Sequence, residues 1–91
     1  MNIIKYTYEA KINLLEIQSY IFQDSPYYSI EVLNSIKYTI NFLKDIPYMW
    51  TQINWNLRKI IEWKYKYSIF YKIYEDDKII EIISISKYKN N

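Results

Sequence analysis

Five residues in the last third of the chain could act on a phosphate: Arg58, Lys64, Lys66, Lys87 and Tyr88. Cationic side chains neutralise phosphate oxygens. A lysine whose pKa is depressed, or a tyrosine, can also give or take a proton. Arg58 is the sole arginine, and only its planar fork can grip a phosphate bidentately. The absences narrow the chemistry. With no histidine in 91 residues, the usual general base is missing. With no cysteine, thiolate metal sites and disulfides are excluded. Neither a Ser-His-Asp nor a Cys-His nucleophile can be assembled, and without glycine there is no Gly-rich phosphate loop. No metal and no cofactor is expected. The competing reading of any single lysine is a solvated surface residue, and it is the better one for each alone. Tyr67 and Tyr71 read as core, while Tyr88 is balanced between core and function.

The net charge of +2 is unevenly spread. Residues 1–50 carry four lysines against five acids, a net −1, and residues 51–91 carry eight cations against five acids, a net +3. Arg58, Lys59, Lys64, Lys66 and Lys72 crowd one short segment that holds a single acid, Glu62. A basic half suits a polyanion or an acidic partner, and equally a solvated sheet face. Arg58, Lys64, Lys66, Lys72, Lys87, Tyr88 and Lys89 form the candidate binding set. The twelve tyrosines weigh less than their number suggests. Ile, Lys, Tyr and Asn share A/T-rich codons, so a low-GC genome yields such a composition unselected.

These residues need a scaffold, and the patterning predicts one. Tyr67, Ile69, Tyr71 and Ile73 fall at every second position, so a strand would send them to one face, with Lys66, Ser68, Phe70 and Lys72 on the other. Ile79, Glu81, Ile83 and Ile85 alternate with Ile80, Ile82, Ser84 and Ser86. Glu75-Asp76-Asp77-Lys78 joins these runs as a charged turn. Strands are expected over 2–6, 57–63, 66–74 and 78–86. Ala10, Leu14, Ile17 and Ile21 mark a helix over 8–22, capped by Thr7 and broadened by Ile12, Leu15 and Phe22. Ser25 and Pro26 start a second helix over 26–44, with Ile30, Leu33, Ile36, Ile40 and Leu43 as its stripe. Its length would be about 28 Å. A loop, 45–56, leads to the sheet. The fold class is α+β: an N-terminal strand, an antiparallel helical hairpin and a three-stranded antiparallel sheet, in one domain spanning 1–91.

Several stretches resemble the RelE/ParE superfamily, the toxin half of type II toxin–antitoxin modules. YTYEAKINLLEIQSYI (Tyr6 to Ile21) is similar to the family's opening, in which an Ala begins an amphipathic helix that ends in an Ile/Tyr pair. DSPYYSIEVLNSIKYTINFLKDIPYM (Asp24 to Met49) resembles its second helix, closed by Leu, a spacer, Pro and Met. LRKII (Leu57 to Ile61) resembles the strand that starts with Arg, and YSIFYKIYEDDKIIEIISI (Tyr67 to Ile85) the hairpin that follows. There are departures. Trp50 stands where members often have Gly. Ser86-Lys87-Tyr88-Lys89-Asn90 replaces a Leu-His, spacer and Arg ending, so Lys87 falls where the His would be.

The resemblance implies a cytoplasmic growth-inhibiting toxin with no membrane association. Its partner would be a cognate acidic antitoxin, with a homodimer or a toxin–antitoxin hetero-oligomer as the assembly. Members that poison DNA gyrase share the long hairpin and usually lack an intact nuclease set, which makes gyrase the favoured target. The alternative is a ribosome-dependent mRNA endoribonuclease using Arg58, Lys64, Lys66, Lys87 and Tyr88 as catalytic residues. Ordinary lysines and tyrosines titrate near pH ~10, which is poor for acid–base work at neutrality. A plain nucleic-acid-binding or interaction module is the third reading.

Overall fold

The computed structural model describes residues 1–89. Asn90, part of the ending compared above, lies outside them. The chain runs β1 (Ile3–Tyr6), α1 (Tyr8–Phe22), α2 (Pro26–Asn41), a 3-10 turn (Phe42–Lys44), β2 (Thr51–Gln52), β3 (Arg58–Glu62), β4 (Tyr67–Tyr74) and β5 (Ile79–Lys87). Both helix starts follow from their caps. The Thr7 hydroxyl accepts from Ala10 N at 3.0 Å and Ser25 Oγ from Tyr28 N at 3.2 Å, and Pro26 takes the first turn, where its missing N–H costs nothing.

Five strands form one sheet in the order β1-β5-β4-β3-β2. The expected antiparallel set is present, but the sheet is mixed, because β1 lies parallel to β5 with Ile3 opposite Ile79 and Tyr6 opposite Ile82. β2 falls inside the segment expected to be loop and pairs Thr51 with Lys59 and Gln52 with Arg58. Two polar residues carry no strand pattern, so nothing local announced it.

The helices cover one sheet face. From α1 come Ala10 and Ile21, with Leu14 and Ile17 packed behind them, while Leu15 and Phe22 stay exposed. The buried stripe of α2 is Ser29, Val32, Ile36 and Ile40, continued by Leu43. Ile30 is 56% exposed, so the stripe is rotated from the expected one. Ser29 tolerates the core because its hydroxyl donates to the Pro26 carbonyl at 2.8 Å. Ile60, Tyr67, Ile69, Tyr71, Ile80, Ile82 and Ile85 supply the sheet's half of the core.

The step from Ile82 to Ile85 breaks strict alternation. Phe70 pairs with Ser84 and Tyr71 with Ile82, so Ile83 is an extra residue, a β-bulge. Thr7 ties it down: its N–H donates to Ile82 O at 3.0 Å and its hydroxyl to Ile83 O at 2.8 Å.

Without glycine, lysines take the left-handed turn positions. Lys66 has φ 66° and Lys78 φ 54°. A residue with a Cβ pays ~1–2 kcal/mol there, and Gly gives back ~0.5–1 kcal/mol through its freer unfolded chain. Lys78→Gly should therefore raise the melting temperature by roughly 3–6 °C in a thermal scan. A lower melting temperature would show that the turn carries no strain.

Candidate functional site

Antiparallel partners share a face, so the register sorts the candidates. Arg58 lies opposite Tyr71, a fully buried residue, and so points to the helix-covered side. Its Nη1 donates to the carbonyls of Tyr48 at 3.0 Å and Trp50 at 2.9 Å. The guanidinium carbon stands 5.3 Å from the centroid of the Tyr48 ring. The surrounding cleft, about 350 Å³, is also lined by Trp55, Ile73, Glu75 and Asp76. Tyr48 donates its hydroxyl to Glu75. Arg58 thus spends one nitrogen holding the 45–57 loop and shares its cleft with two carboxylates, a poor setting for a phosphate.

Lys87 also faces the helix-covered side, opposite Tyr67. Its ammonium donates to the Tyr65 carbonyl at 2.7 Å and sits 4.7 Å from the Tyr67 ring. It lines a largely apolar groove of about 650 Å³ built on Ile17, Ile21, Val32 and Tyr67, with Glu16 and Asp24 among its walls. Arg58 and Lys87 pair beside β4 residues four apart and on opposite sides of that strand. That separates them by about 13 Å along the strands and about 10 Å across.

The other face is uncovered by helices and holds a different set. Lys66 lies 5.0 Å from the ring of Trp63, Trp63 meets Tyr88 edge-on at 5.3 Å, and Lys59 lies 5.8 Å from the Tyr88 ring. Tyr88 extends the ladder by donating its N–H to Lys66 O at 2.7 Å. Lys72, opposite Glu81, is on this face too. Lys89 is exposed past the end of β5. Lys64 caps the β3–β4 turn, 5.4 Å from the Tyr65 ring, and Tyr65 leans edge-on against Tyr28 of α2.

The candidate set is therefore divided between the two faces of the sheet. Lys66 and Tyr88 are together, Lys72 is on the same face but toward the other end of β4, Lys64 is at the turn, and Arg58 and Lys87 are on the opposite side and apart. The physical reason is parity. Arg58 shares its phase with Ile60 and Glu62, which are buried, and Lys59 shares its phase with Ile61 and Trp63. Lys59 and Trp63 belong to the open-face set and were not singled out from sequence: alternation groups them, but the pairing of β3 with β4 decides which face the group takes.

Beneath the turn, Glu62 is 1% exposed. Its carboxylate accepts from Ser35 Oγ at 2.6 Å, Lys64 N at 3.0 Å and Tyr65 N at 2.9 Å. That fixes the backbone from which Lys64, Tyr65 and Lys66 project.

Comparison with known proteins agrees with this architecture. The family model for the ParE toxin of the parDE type II toxin–antitoxin system matches residues 4–91. No curated protein matches the sequence. Among solved structures, the chromosomal ParDE system of P. aeruginosa has a chain that superposes with a TM-score of 0.82 at 17% identity, covering 98% of both chains. The intact RelBE toxin–antitoxin complex of E. coli has one with a TM-score of 0.74 at 13% identity, covering 99% of this chain and 100% of that one. The isolated E. coli RelE toxin gives 0.76 at 13% identity, covering 100% and 88%. At such identities the structures speak for the fold, and the family model, spanning nearly the whole sequence, speaks for descent. This chain belongs to the ParE toxin family of type II toxin–antitoxin systems, within the RelE/ParE superfamily.

Proposed function

We propose that the chain inhibits growth by binding and poisoning DNA gyrase, with a cognate acidic antitoxin holding it inactive until released. The observation that carries this reading is the separation of Arg58, Lys87 and Tyr88. Cleaving RNA by acid–base catalysis requires a proton donor, a proton acceptor and a phosphate clamp around one scissile bond, within hydrogen-bond reach of it. Here the clamp candidate is turned into an acidic cleft. Lys87 is held against Tyr65 and Tyr67, and Tyr88 lies on the opposite face. A binding toxin has no such requirement. It needs a stiff helical hairpin and a basic flank, and α1, α2 and the β3–β4 turn supply both. The family match to a ParE toxin supports the same reading. Solved toxin–antitoxin complexes with this fold support an antitoxin as partner.

Expression of the chain in growing cells tests the target. Double-strand breaks and filamentation with intact messages are the expected outcome. Messages cut at the ribosomal A site, with cutting lost in Arg58→Ala, Lys87→Ala and Tyr88→Phe, would replace gyrase poisoning with mRNA cleavage. No growth arrest at all would leave an interaction module.

A further inference from the structure

The segment 45–57 holds apolar side chains outside while its backbone is fixed from within. Trp55 is 85%, Met49 70% and Tyr48 51% exposed, and Ile53 is exposed two residues before Trp55. Single apolar residues on a surface are ordinary. These are grouped: Tyr48 and Met49 adjoin in sequence, and Tyr48 and Trp55 line one cleft with Ile73. The backbone beneath them is tied down at both ends. The Tyr71 hydroxyl donates to Pro47 O at 2.6 Å, Arg58 donates to Tyr48 O and Trp50 O, and Trp50 packs against the core. Further on, Ile53 N donates to Leu57 O at 2.8 Å, and Asn54 Oδ1 accepts from Asn56 N at 3.1 Å and Leu57 N at 3.0 Å. Trp55 thus stands at the tip of a closed turn. A loop ordered in advance loses less entropy when a partner arrives. Trp, Tyr and Met are also the side chains that concentrate at the centre of protein interfaces. Beside them the cleft is acidic. Glu75 and Asp76 line it with Tyr48 and Trp55, and its cation, Arg58, is turned onto the two carbonyls under the loop.

We propose that the 45–57 loop is the contact by which the chain holds its target protein, with Tyr48, Met49 and Trp55 entering an apolar recess whose rim carries Arg or Lys. Charge complementarity sets the rim: Glu75 and Asp76 meet cations there, and an acidic segment is repelled. An acidic antitoxin is therefore not the occupant. A basic rim is what an enzyme that handles DNA offers, because its surface must attract phosphates. The inference rests on the reading that the chain acts by binding a protein target, and it adds the surface that does so.

The test is binding of the purified full chain to purified DNA gyrase, with ribosomes as a second probe. Trp55→Ser should weaken gyrase binding about thirtyfold, and Met49→Ser about fivefold. Both side chains are exposed, so the melting temperature of each variant should stay within a few degrees of the parent. Asp76→Lys should weaken binding at low salt and approach the parent at high salt, where the rim charges are screened. Ile3→Thr, in the exposed strand at the opposite edge of the sheet, should bind as the parent does. Undiminished gyrase binding by Trp55→Ser would overturn the inference and leave gyrase as the target. Binding to ribosomes instead, lost in Trp55→Ser, would overturn gyrase as the target and support the loop as the contact. A parent chain that binds neither would overturn the inference as well. So would self-association in sedimentation that Trp55→Ser abolishes, since the occupant would then be a second copy of the chain.

Discussion

Glu62→Ala should lower the stability of the fold by about 3–4 kcal/mol. The carboxylate is buried and receives one hydroxyl and two backbone N–H groups. Bonds to an ionised acceptor are the strong kind. Their loss also strands two backbone donors at the mouth of the β3–β4 turn. For a domain of this size the melting temperature should fall by roughly 15–25 °C, which thermal unfolding followed by circular dichroism would register. Glu62→Gln keeps one acceptor oxygen and should recover about half of the loss, and Ser35→Ala should cost only about 1 kcal/mol. A Glu62→Ala chain that melts within a few degrees of the parent would mean that the turn holds itself.

Raising the pH should unfold the protein through a second device. Tyr71 is fully buried and donates its hydroxyl to the Pro47 carbonyl at 2.6 Å. Burial pushes its pKa from 10.0 up to about 12, slightly offset by Arg58 nearby. The folded state thus holds the phenolic proton more tightly than the unfolded chain does. Its contribution is whole below pH 10 and is lost as the pH climbs through about 12. Two units correspond to roughly 2–3 kcal/mol. Burial raises Tyr6 and Tyr67 in the same direction, adding to the slope. Denaturant titrations from pH 9 to 12 should show stability falling steeply in the upper part of that range. Tyr71→Phe should begin about 1 kcal/mol lower at neutral pH and fall less above pH 10. Parallel curves for the two proteins would remove Tyr71 from the effect.

What could be read in the sequence was local. Thr7, Ser25 and Pro26 act within one turn of themselves, so both helix starts were visible. Tyr67, Ile69 and Tyr71 alternate against a flat core and were placed correctly. What could not be read depends on a distant segment. The stripe of α2 rotates to Ser29 and Val32 because the sheet beneath it, still unmade at that point of the chain, decides which residues are covered. Ile83 disrupts the phase of β5 through a contact with Thr7, most of the chain away. The same applies to the candidate site. Which of Arg58 and Lys59 reaches the open face depends on the pairing of β3 with β4. Residue type had grouped Arg58, Lys87 and Tyr88 as candidates to act on a phosphate, and strand geometry separates them.

The position of β5 also bears on timing. The strand made last lies between β1, made first, and β4. Neither β1 nor the strap at Thr7 has anything to bind until Ile79–Ile83 has been synthesised. At roughly 5–20 residues per second, Ile3 waits several seconds for Ile79 to appear. During that interval the sheet cannot be completed, because β5 is its second strand, between β1 and β4. The pairing of β1 with β5 and the bonds from Thr7 are therefore among the last parts of the fold to close. A chain that stops before Ile79 lacks β5 and, with it, Ile80, Ile82 and Ile85 of the core.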